Sequence, residues 1–273
     1  MHDDIRPRTI GELFDRTVHL IVRRWRAAAT IGLIGAVPLT AGFLLDAGVW
    51  KSPDAGARLL IFVIGTVANV LVATALAMLY AGDEERPKAG RLLAEALRRF
   101  GGLLLVGFVC GFTSMLLIVP IGFAFFIGAL FASAMGTVGA AVVGGVCAVA
   151  AAIFLFAPIF ASQIAFYIAI TERAGVGESL SLAFRRVMRG RARSSLLAAA
   201  IGAAYLGPLY VIGAVGVLLG QLKLPWLAVA VSLIATLLSL VVFNALMTLA
   251  SLDYRMRTEG TDLLAAIETP AAG

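Results

Sequence analysis

Long apolar runs alternate with short arginine-rich segments along the whole chain. A helix needs about 20 apolar residues to cross the ~30 Å hydrocarbon core of a bilayer, and most of the runs reach that length. Because backbone polar groups must be satisfied inside lipid, unbroken runs of this kind predict spanning helices. We therefore predict an all-α polytopic membrane protein with about six transmembrane helices. The predicted spans are residues 27–45, 57–81, 101–132, 134–170, 194–219 and 226–251.

Three polar segments show helical periodicity, and each is followed by two of the apolar runs. They are Thr9–Trp25, Gly82–Phe100 and Thr171–Arg193. In each, apolar residues recur at helical spacing on one face, which predicts an amphipathic helix lying in the headgroup layer. Thr9 and Glu12 form a capping box, which predicts the start of the first helix.

Prolines and glycines predict irregularities inside the spans. Runs 101–132 and 134–170 exceed the length needed to span, so we expect kinks or breaks at Pro120 and Pro158. Pro38 and Pro208 predict kinks in the first and fifth spans. The glycine-rich segment 136–145 allows either an additional re-entrant piece or close helix packing, and we favour packing.

The order of these features indicates a threefold repeat. Gly11, Gly90 and Gly177 each open an amphipathic helix, each helix ends in a pair of arginines, and a proline-containing span follows. The alternative is that basic linkers and helix prolines recur by chance. Two spans in each copy would make the copies parallel. We predict one integral membrane domain over residues 1–273, with units 9–81, 87–170 and 176–251 and a tail 252–273.

Composition and charge place the predicted helices relative to the bilayer. The chain is 61% hydrophobic and 14% charged, with mean hydropathy +0.98. Of its 22 Lys and Arg residues, only Lys51, Arg58 and Lys223 lie outside the amphipathic segments and the two terminal regions. The positive-inside rule therefore predicts a cytoplasmic (inner) membrane protein with both termini and all three amphipathic helices in the cytoplasm.

Residues capable of catalysis are few. The chain has two histidines and two cysteines, and its acidic residues lie outside the predicted spans. No metal-site, nucleophile-elbow or phosphate-loop motif is present, so we expect no enzyme activity, cofactor or metal. Asn69, Gln163 and Asn244 are the polar side chains deepest in the spans. Interhelical hydrogen bonds explain them more simply than a substrate site does.

The arginines that end the amphipathic helices are the candidate contact residues. Their simplest role is to fix topology, but clustered arginines also attract anionic lipid headgroups. A protein partner is a further possibility, whereas a continuous nucleic-acid surface is not expected from separate helices. The candidates are Arg23, Arg24, Arg98, Arg99, Arg185, Arg186 and Arg189.

The tail and the third basic segment resemble the membrane domain of glycerophosphodiester phosphodiesterases. The tail reads D-x-R-x-R-x-E-G-x-D-L from Asp253 to Leu263, and the N-terminal IGELFD and the segment from Glu172 to Gly190 are also similar. Ser251-Leu252 departs from the aromatic residues expected there, and the catalytic domain is absent from this sequence. The resemblance implies a membrane module, without the hydrolase activity. It implies structural roles for Glu12, Asp15, Glu172, Gly190, Asp253, Arg255, Arg257, Glu259, Gly260 and Asp262.

Two functional hypotheses follow from the sequence. The first is a non-enzymatic scaffold or accessory module associated with membrane lipid or a partner protein. The alternative is a transporter or channel for a lipid or apolar solute, with the proline-containing spans acting as hinges. In the tail, we expect Asp253 and Arg257 to form an i,i+4 ion pair and Gly260 to end the last helix.

Overall fold

The computed structural model describes residues 9–46, 55–82, 84, 87–221 and 224–268, and all regular structure in these residues is helical. The predicted helical class is therefore confirmed for the described part of the chain. The helices are α1 (Ile10–Asp46), α2 (Ala55–Ala81), α3 (Ala89–Arg98), α4 (Phe100–Thr171), α5 (Val176–Arg189), α6 (Arg191–Gln221) and α7 (Pro225–Glu268).

Three helical segments of the described residues are long and apolar enough to cross a membrane. They are Gly56–Ala81, Phe100–Val119 and Trp226–Gly260, and Phe156–Thr171 forms a shorter apolar helix. These segments are compatible with a membrane-embedded protein. The predicted count of six spans goes beyond them and stays a prediction.

Two of the long helices contain a residue that leaves helical geometry. Non-helical dihedral angles occur at Arg24 inside α1 and at Gly136 inside α4. Gly136 has φ of 76° and ψ of 177°, a conformation that is essentially restricted to glycine. The helical backbone continues through Pro120 and Pro158. The break at Gly136 lies close to the predicted boundary between spans 101–132 and 134–170 and at the start of the glycine-rich segment 136–145, where a glycine can leave the helical region more easily than other residues can. The kinks predicted at the four prolines stay predictions.

The chain divides into two compact units. Unit 1 contains Met1–Leu104 and Ile201–Arg257, and unit 2 contains Leu105–Ala200 and Thr258–Gly273. In unit 1, the buried core is formed by apolar residues of α1, α2, α3 and α7. Fully buried members include Ala28, Ile31, Val72, Leu76 and Val241.

Two glycines of α1 allow close helix approach within unit 1. A Cβ atom at Gly32 would lie 2.6 Å from Leu237 Cδ1, and a Cβ atom at Gly35 would lie 3.2 Å from Val72 Cγ2. Small residues let membrane helices approach closely and so gain van der Waals contact. Gly32 and Gly35 thus position α1 against α7 and α2.

In unit 2, a buried polar cluster joins the two halves of α4. Ser114 Oγ lies 2.5 Å from Ser162 Oγ, and Gln163 Nε2 donates to Ser114 Oγ at 2.8 Å. Each hydroxyl also lies within hydrogen-bond distance of a carbonyl on its own helical turn, Cys110 O for Ser114 and Ile159 O for Ser162. Since a hydroxyl has one proton, one serine donates to the other and the second donates to its carbonyl. The contacts among Ser114, Ser162 and Gln163 join the two halves of α4 and favour one register between them.

The last helix is longer than the sequence predicts. α7 continues through Gly260 to Glu268, so the prediction that Gly260 ends the helix is wrong. A glycine can remain inside a helix at a cost of about 1 kcal/mol relative to alanine.

Candidate functional site

The three amphipathic helices end at sharp turns into the apolar segments that follow them. The turning residues are Arg24 (φ −110°, ψ 16°), Arg99 (φ −95°, ψ 0°) and Gly190 (φ −121°, ψ 47°). At each turn the chain leaves helical geometry for one residue and resumes it at once. We call the segments 22–24, 97–99 and 188–190 the basic corners.

Each basic corner presents the same outward sequence, an exposed large apolar residue followed by an exposed arginine. All six of these side chains are exposed. An apolar side chain beside a guanidinium suits the boundary between headgroups and acyl chains. The pairs are Val22-Arg23, Leu97-Arg98 and Met188-Arg189.

Arg24 points inward, in contrast to Arg23. It is 9% exposed, and its guanidinium donates to the carbonyl oxygens of Leu79, Gly82 (2.7 Å) and Glu84 (3.2 Å). Leu79 belongs to the last turn of α2, where carbonyl groups have no partner within the helix and the helix dipole is negative. Arg24 therefore caps α2 and ties it to the first basic corner.

At the second corner, both arginines contact Glu95 on the preceding helical turn. Arg99 Nε lies 2.8 Å from Glu95 Oε1, and Arg98 contacts the other carboxylate oxygen. The hydrogen bond from Arg99, together with the nearby charge of Arg98, lowers the pKa of Glu95 below its usual value. Arg98 remains largely exposed, with 74% of its side-chain surface accessible.

Near the third corner, Arg186 points inward and Arg185 outward. The Arg186 side chain is 6% exposed and forms two hydrogen bonds to the carboxylate of Glu172, which directly follows α4. Glu259 Oε1 lies 4.0 Å from Arg186 Nη2. Arg186 therefore joins α5 to the end of α4 and approaches the extension of α7, all within unit 2.

The corner itself is held by Ser194. Its hydroxyl donates to the carbonyl oxygens of Val187 and Gly190, each at 2.9 Å. These bonds satisfy carbonyls at the end of α5 and set the entry into α6.

In the tail, Asp253 is fully buried, and Arg257 Nε donates to its Oδ2 at 2.9 Å. The predicted i,i+4 pair is thereby confirmed. Asp253 lies 27 residues after Trp226, about 40 Å along the helix at 1.5 Å per residue. That distance exceeds the ~30 Å hydrocarbon core, so Asp253 is compatible with a position at its edge.

At the N-terminus, the predicted capping box is confirmed. Thr9 N donates to Glu12 Oε2 at 2.8 Å, and Glu12 N donates to Thr9 Oγ1 at 3.2 Å. Asp15 and His19 form an exposed contact with 3.6 Å between Oδ1 and Nδ1, as expected for a solvated pair. Of the family-like motif, Glu12 therefore helps to start the helix, and Asp15 faces solvent.

For the remaining residues of the family-like motif, the structure gives their position in a helix. Gly190 is the C-cap of α5, and Arg255, Glu259 and Asp262 lie in α7. Among the residues that the structure describes, no group of three or more His, Cys, Asp or Glu side chains could hold a metal ion.

The three deep polar residues behave differently from one another. Gln163 makes the predicted interhelical bond, and Asn244 Nδ2 donates to Leu240 O at 2.8 Å within its own helix. Asn69 is exposed on α2 and takes part in no hydrogen bond within the described ranges.

Sequence reasoning grouped the arginines by charge but did not separate inward from outward members. The signal that could have separated them is the residue before each arginine, because exposed apolar residues precede Arg23, Arg98 and Arg189. The ion pair from Arg186 to Glu172, 14 residues apart, had no periodic signal.

Comparison with known proteins gives no further assignment. No protein-family model matches the chain, and neither the curated proteins nor the solved structures provide a match. The resemblance to a phosphodiesterase membrane domain therefore stays a prediction from the residues quoted above.

Proposed function

We propose that this chain is a non-enzymatic integral membrane protein that holds anionic lipid headgroups at its three basic corners. In this proposal it has six spans and the amphipathic helices lie at the cytoplasmic face of the inner membrane. It acts as a scaffold or accessory module, as the resemblance to the free-standing phosphodiesterase membrane domain suggests.

The observation that carries the proposal is the recurrence of one outward arrangement at three corners. Val22-Arg23, Leu97-Arg98 and Met188-Arg189 each pair an exposed apolar side chain with an exposed guanidinium directly before a helix turn. Arginine binds phosphate oxygens through two parallel hydrogen bonds, and the apolar neighbour enters the acyl boundary.

The inward arginines support the proposal because they hold the corners to the neighbouring helices. Arg24 and Arg186 connect the amphipathic helices to the ends of apolar helices. They hold the corners in place at the surface, where the outward guanidinium groups are exposed. Arg98 would exchange its contact with Glu95 for a headgroup. The same chain segment thus provides both the anchor and the contact residue.

The test uses the full chain in nanodiscs with phosphatidylglycerol and phosphatidylcholine at varied ratios. A variant carrying Arg23→Gln, Arg98→Gln, Arg185→Gln and Arg189→Gln removes the outward charge of the three corners and of the exposed Arg185 one turn before the third corner, and it keeps Arg24 and Arg186. Each basic residue near an anionic membrane surface contributes about 1 kcal/mol to the free energy of lipid binding. We expect the number of retained anionic lipids, measured by native mass spectrometry, to fall several-fold.

The matched control is Arg58→Gln, which removes an exposed arginine near the opposite end of α2. It should leave the retained lipids unchanged. Equal retention by the fourfold variant and the unmodified protein would refute headgroup binding at the corners. Equal losses in the variant and the control would show that the binding is not located there.

A further inference from the structure

The exposed face of α2 carries one polar group that hydrocarbon cannot satisfy. Asn69 lies at the middle of the apolar segment Gly56–Ala81, and its side chain is exposed. It makes no hydrogen bond within the described residues. Thr66, one turn earlier, is also exposed but donates to Phe62 O at 2.8 Å. Arg58 is also exposed, but it lies at the end of the segment, where a long side chain can reach water. In the middle of α2, the Asn69 amide is the exposed polar group that lacks a partner among the described residues.

The first half of α2 is exposed on several sides, including at Leu60, Val63, Ile64 and Val67, and Asn69 selects one stripe of this surface. Leu59, Phe62, Thr66 and Asn69 follow one another at spacings of three, four and three residues. This is the spacing of the contact positions of a helix pair, which repeat on average every 3.5 residues. Leu59 and Phe62 are 64% and 71% exposed. The stripe is thus an apolar seam with one hydrogen-bonding residue at its end.

We propose that two copies of this chain pair through this seam of α2, with Asn69 of each copy bonded to Asn69 of the other. A carboxamide carries both a donor NH₂ and an acceptor oxygen, so two identical amides satisfy each other. In a two-fold symmetric contact, a residue on the axis meets its own equivalent. A second copy is therefore the partner whose chemistry the seam already specifies.

The seam also defines the register of the pair. An asparagine at one contact position fixes the alignment of paired helices, because any shift leaves both amides unsatisfied. The contact extends from position 59 to 69, about 15 Å along the helix. Ala73, the next position at this spacing, is buried within its own chain, so the seam stops at Asn69.

The experiment uses the full chain in liposomes at low protein density, with Cys110 and Cys147 replaced by alanine. Thr66→Cys places a thiol on the seam, and Ile64→Cys places one on the opposite, exposed face of the same helix. Copper-phenanthroline oxidation should produce a disulfide-linked dimer from Thr66→Cys and little from Ile64→Cys. Equal cross-linking from the two positions would overturn the seam.

The role of Asn69 is tested by Asn69→Leu and Asn69→Gln in the Thr66→Cys background. Interhelical hydrogen bonds of this kind contribute enough to change the dimer dissociation constant roughly tenfold. We expect Asn69→Leu to weaken the dimer by that factor and Asn69→Gln to retain most of it. Thermal unfolding of the monomer checks that neither change disrupts folding.

Two outcomes contradict the pairing directly. One is an Asn69→Leu dimer as stable as the original, since the amides would then contribute nothing. The other concerns two differently tagged copies present in the same membrane. If the two copies do not co-purify, or if only a different protein co-purifies with the chain, the pairing is wrong. Lipid retention at the basic corners would be unaffected in either case, so the proposed function is tested separately.

Discussion

Arg186 of α5 and Glu172, the residue after α4, form an ion pair joined at two points. Nη1 lies 2.5 Å from Oε1, and Nη2 lies 3.1 Å from Oε2. The Arg186 side chain is 6% exposed and that of Glu172 is 14% exposed, so water reaches little of the pair. Two parallel hydrogen bonds fix the orientation of the guanidinium relative to the carboxylate as well as the distance between them. It connects two helices that are separated in sequence by a short turn.

Breaking this pair should destabilise the protein because one buried charge remains. We expect Arg186→Met or Glu172→Met each to lower the free energy of unfolding by about 2–4 kcal/mol. The double variant should lose less than the sum of the two single variants, because neither charge is then left unpaired. Steric-trap unfolding in detergent micelles measures all three. Arg185→Met, at the exposed neighbour, should change stability by less than about 0.5 kcal/mol, and additive losses in the double variant would argue against coupling.

Arg23 and Arg24 should separate lipid binding from folding although they are adjacent. Arg24→Met removes the donor to three carbonyl oxygens at the end of α2 and should cost about 1–3 kcal/mol of stability. Arg23→Met, at an exposed side chain, should lower stability clearly less than Arg24→Met does and should reduce retention of phosphatidylglycerol. Arg24→Lys should recover only part of the loss, since a lysine ammonium lacks the guanidinium fork. Equal stability of the two methionine variants would contradict the capping role.

The sequence could predict the helical class because the apolar runs and the helical periodicity are local signals. The capping box of Thr9 and Glu12 and the pair of Asp253 and Arg257 are likewise local, at spacings of three and four residues. The bond from Arg24 to α2 joins residues 55 to 60 positions apart and needed the tertiary structure. The break at Gly136 falls within a few residues of the boundary predicted between the third and fourth spans, because the glycine-rich segment 136–145 is itself a local signal.

A larger residue at Gly32 should destabilise the protein, because it would have to displace the side chains of Leu237 and Val241 in α7. A Cβ at this position would already lie 2.6 Å from Leu237 Cδ1 and 3.2 Å from Val241 Cγ2. We expect Gly32→Leu to lower the free energy of unfolding by about 1–3 kcal/mol through overpacking. Gly202→Leu is the control, since a Cβ at Gly202 meets no atom within 4 Å. Similar unfolding curves for the two variants would show that α1 can move away from α7 at little cost.

Asp253 should be needed for the stability of the tail end of α7. It is fully buried, and Asp253→Ala removes its bond to Arg257 and leaves a space in the packing. We expect a loss of about 2–3 kcal/mol, seen as a lower melting temperature in detergent. Asp15→Ala, at an aspartate whose side chain is 77% exposed, should melt as the unmodified protein does. A normal melting profile for Asp253→Ala would remove its structural role.

Two residues with positive φ should respond to substitution in opposite directions. Arg173, just beyond the end of α4, has φ of 56°, a region that costs an L-residue about 1–2 kcal/mol and glycine very little. Arg173→Gly should therefore raise the free energy of unfolding by about 0.5–1 kcal/mol. The gain is smaller than the strain that is relieved, because glycine has more conformational entropy than arginine in the unfolded chain. Gly136→Ala should lower it by about 1–3 kcal/mol, although a Cβ there would meet no atom within 4 Å. Since space does not limit either site, the sign of each change tests backbone conformation alone. Equal and small effects at both positions, measured by unfolding in the same detergent, would mean that neither backbone conformation persists in solution.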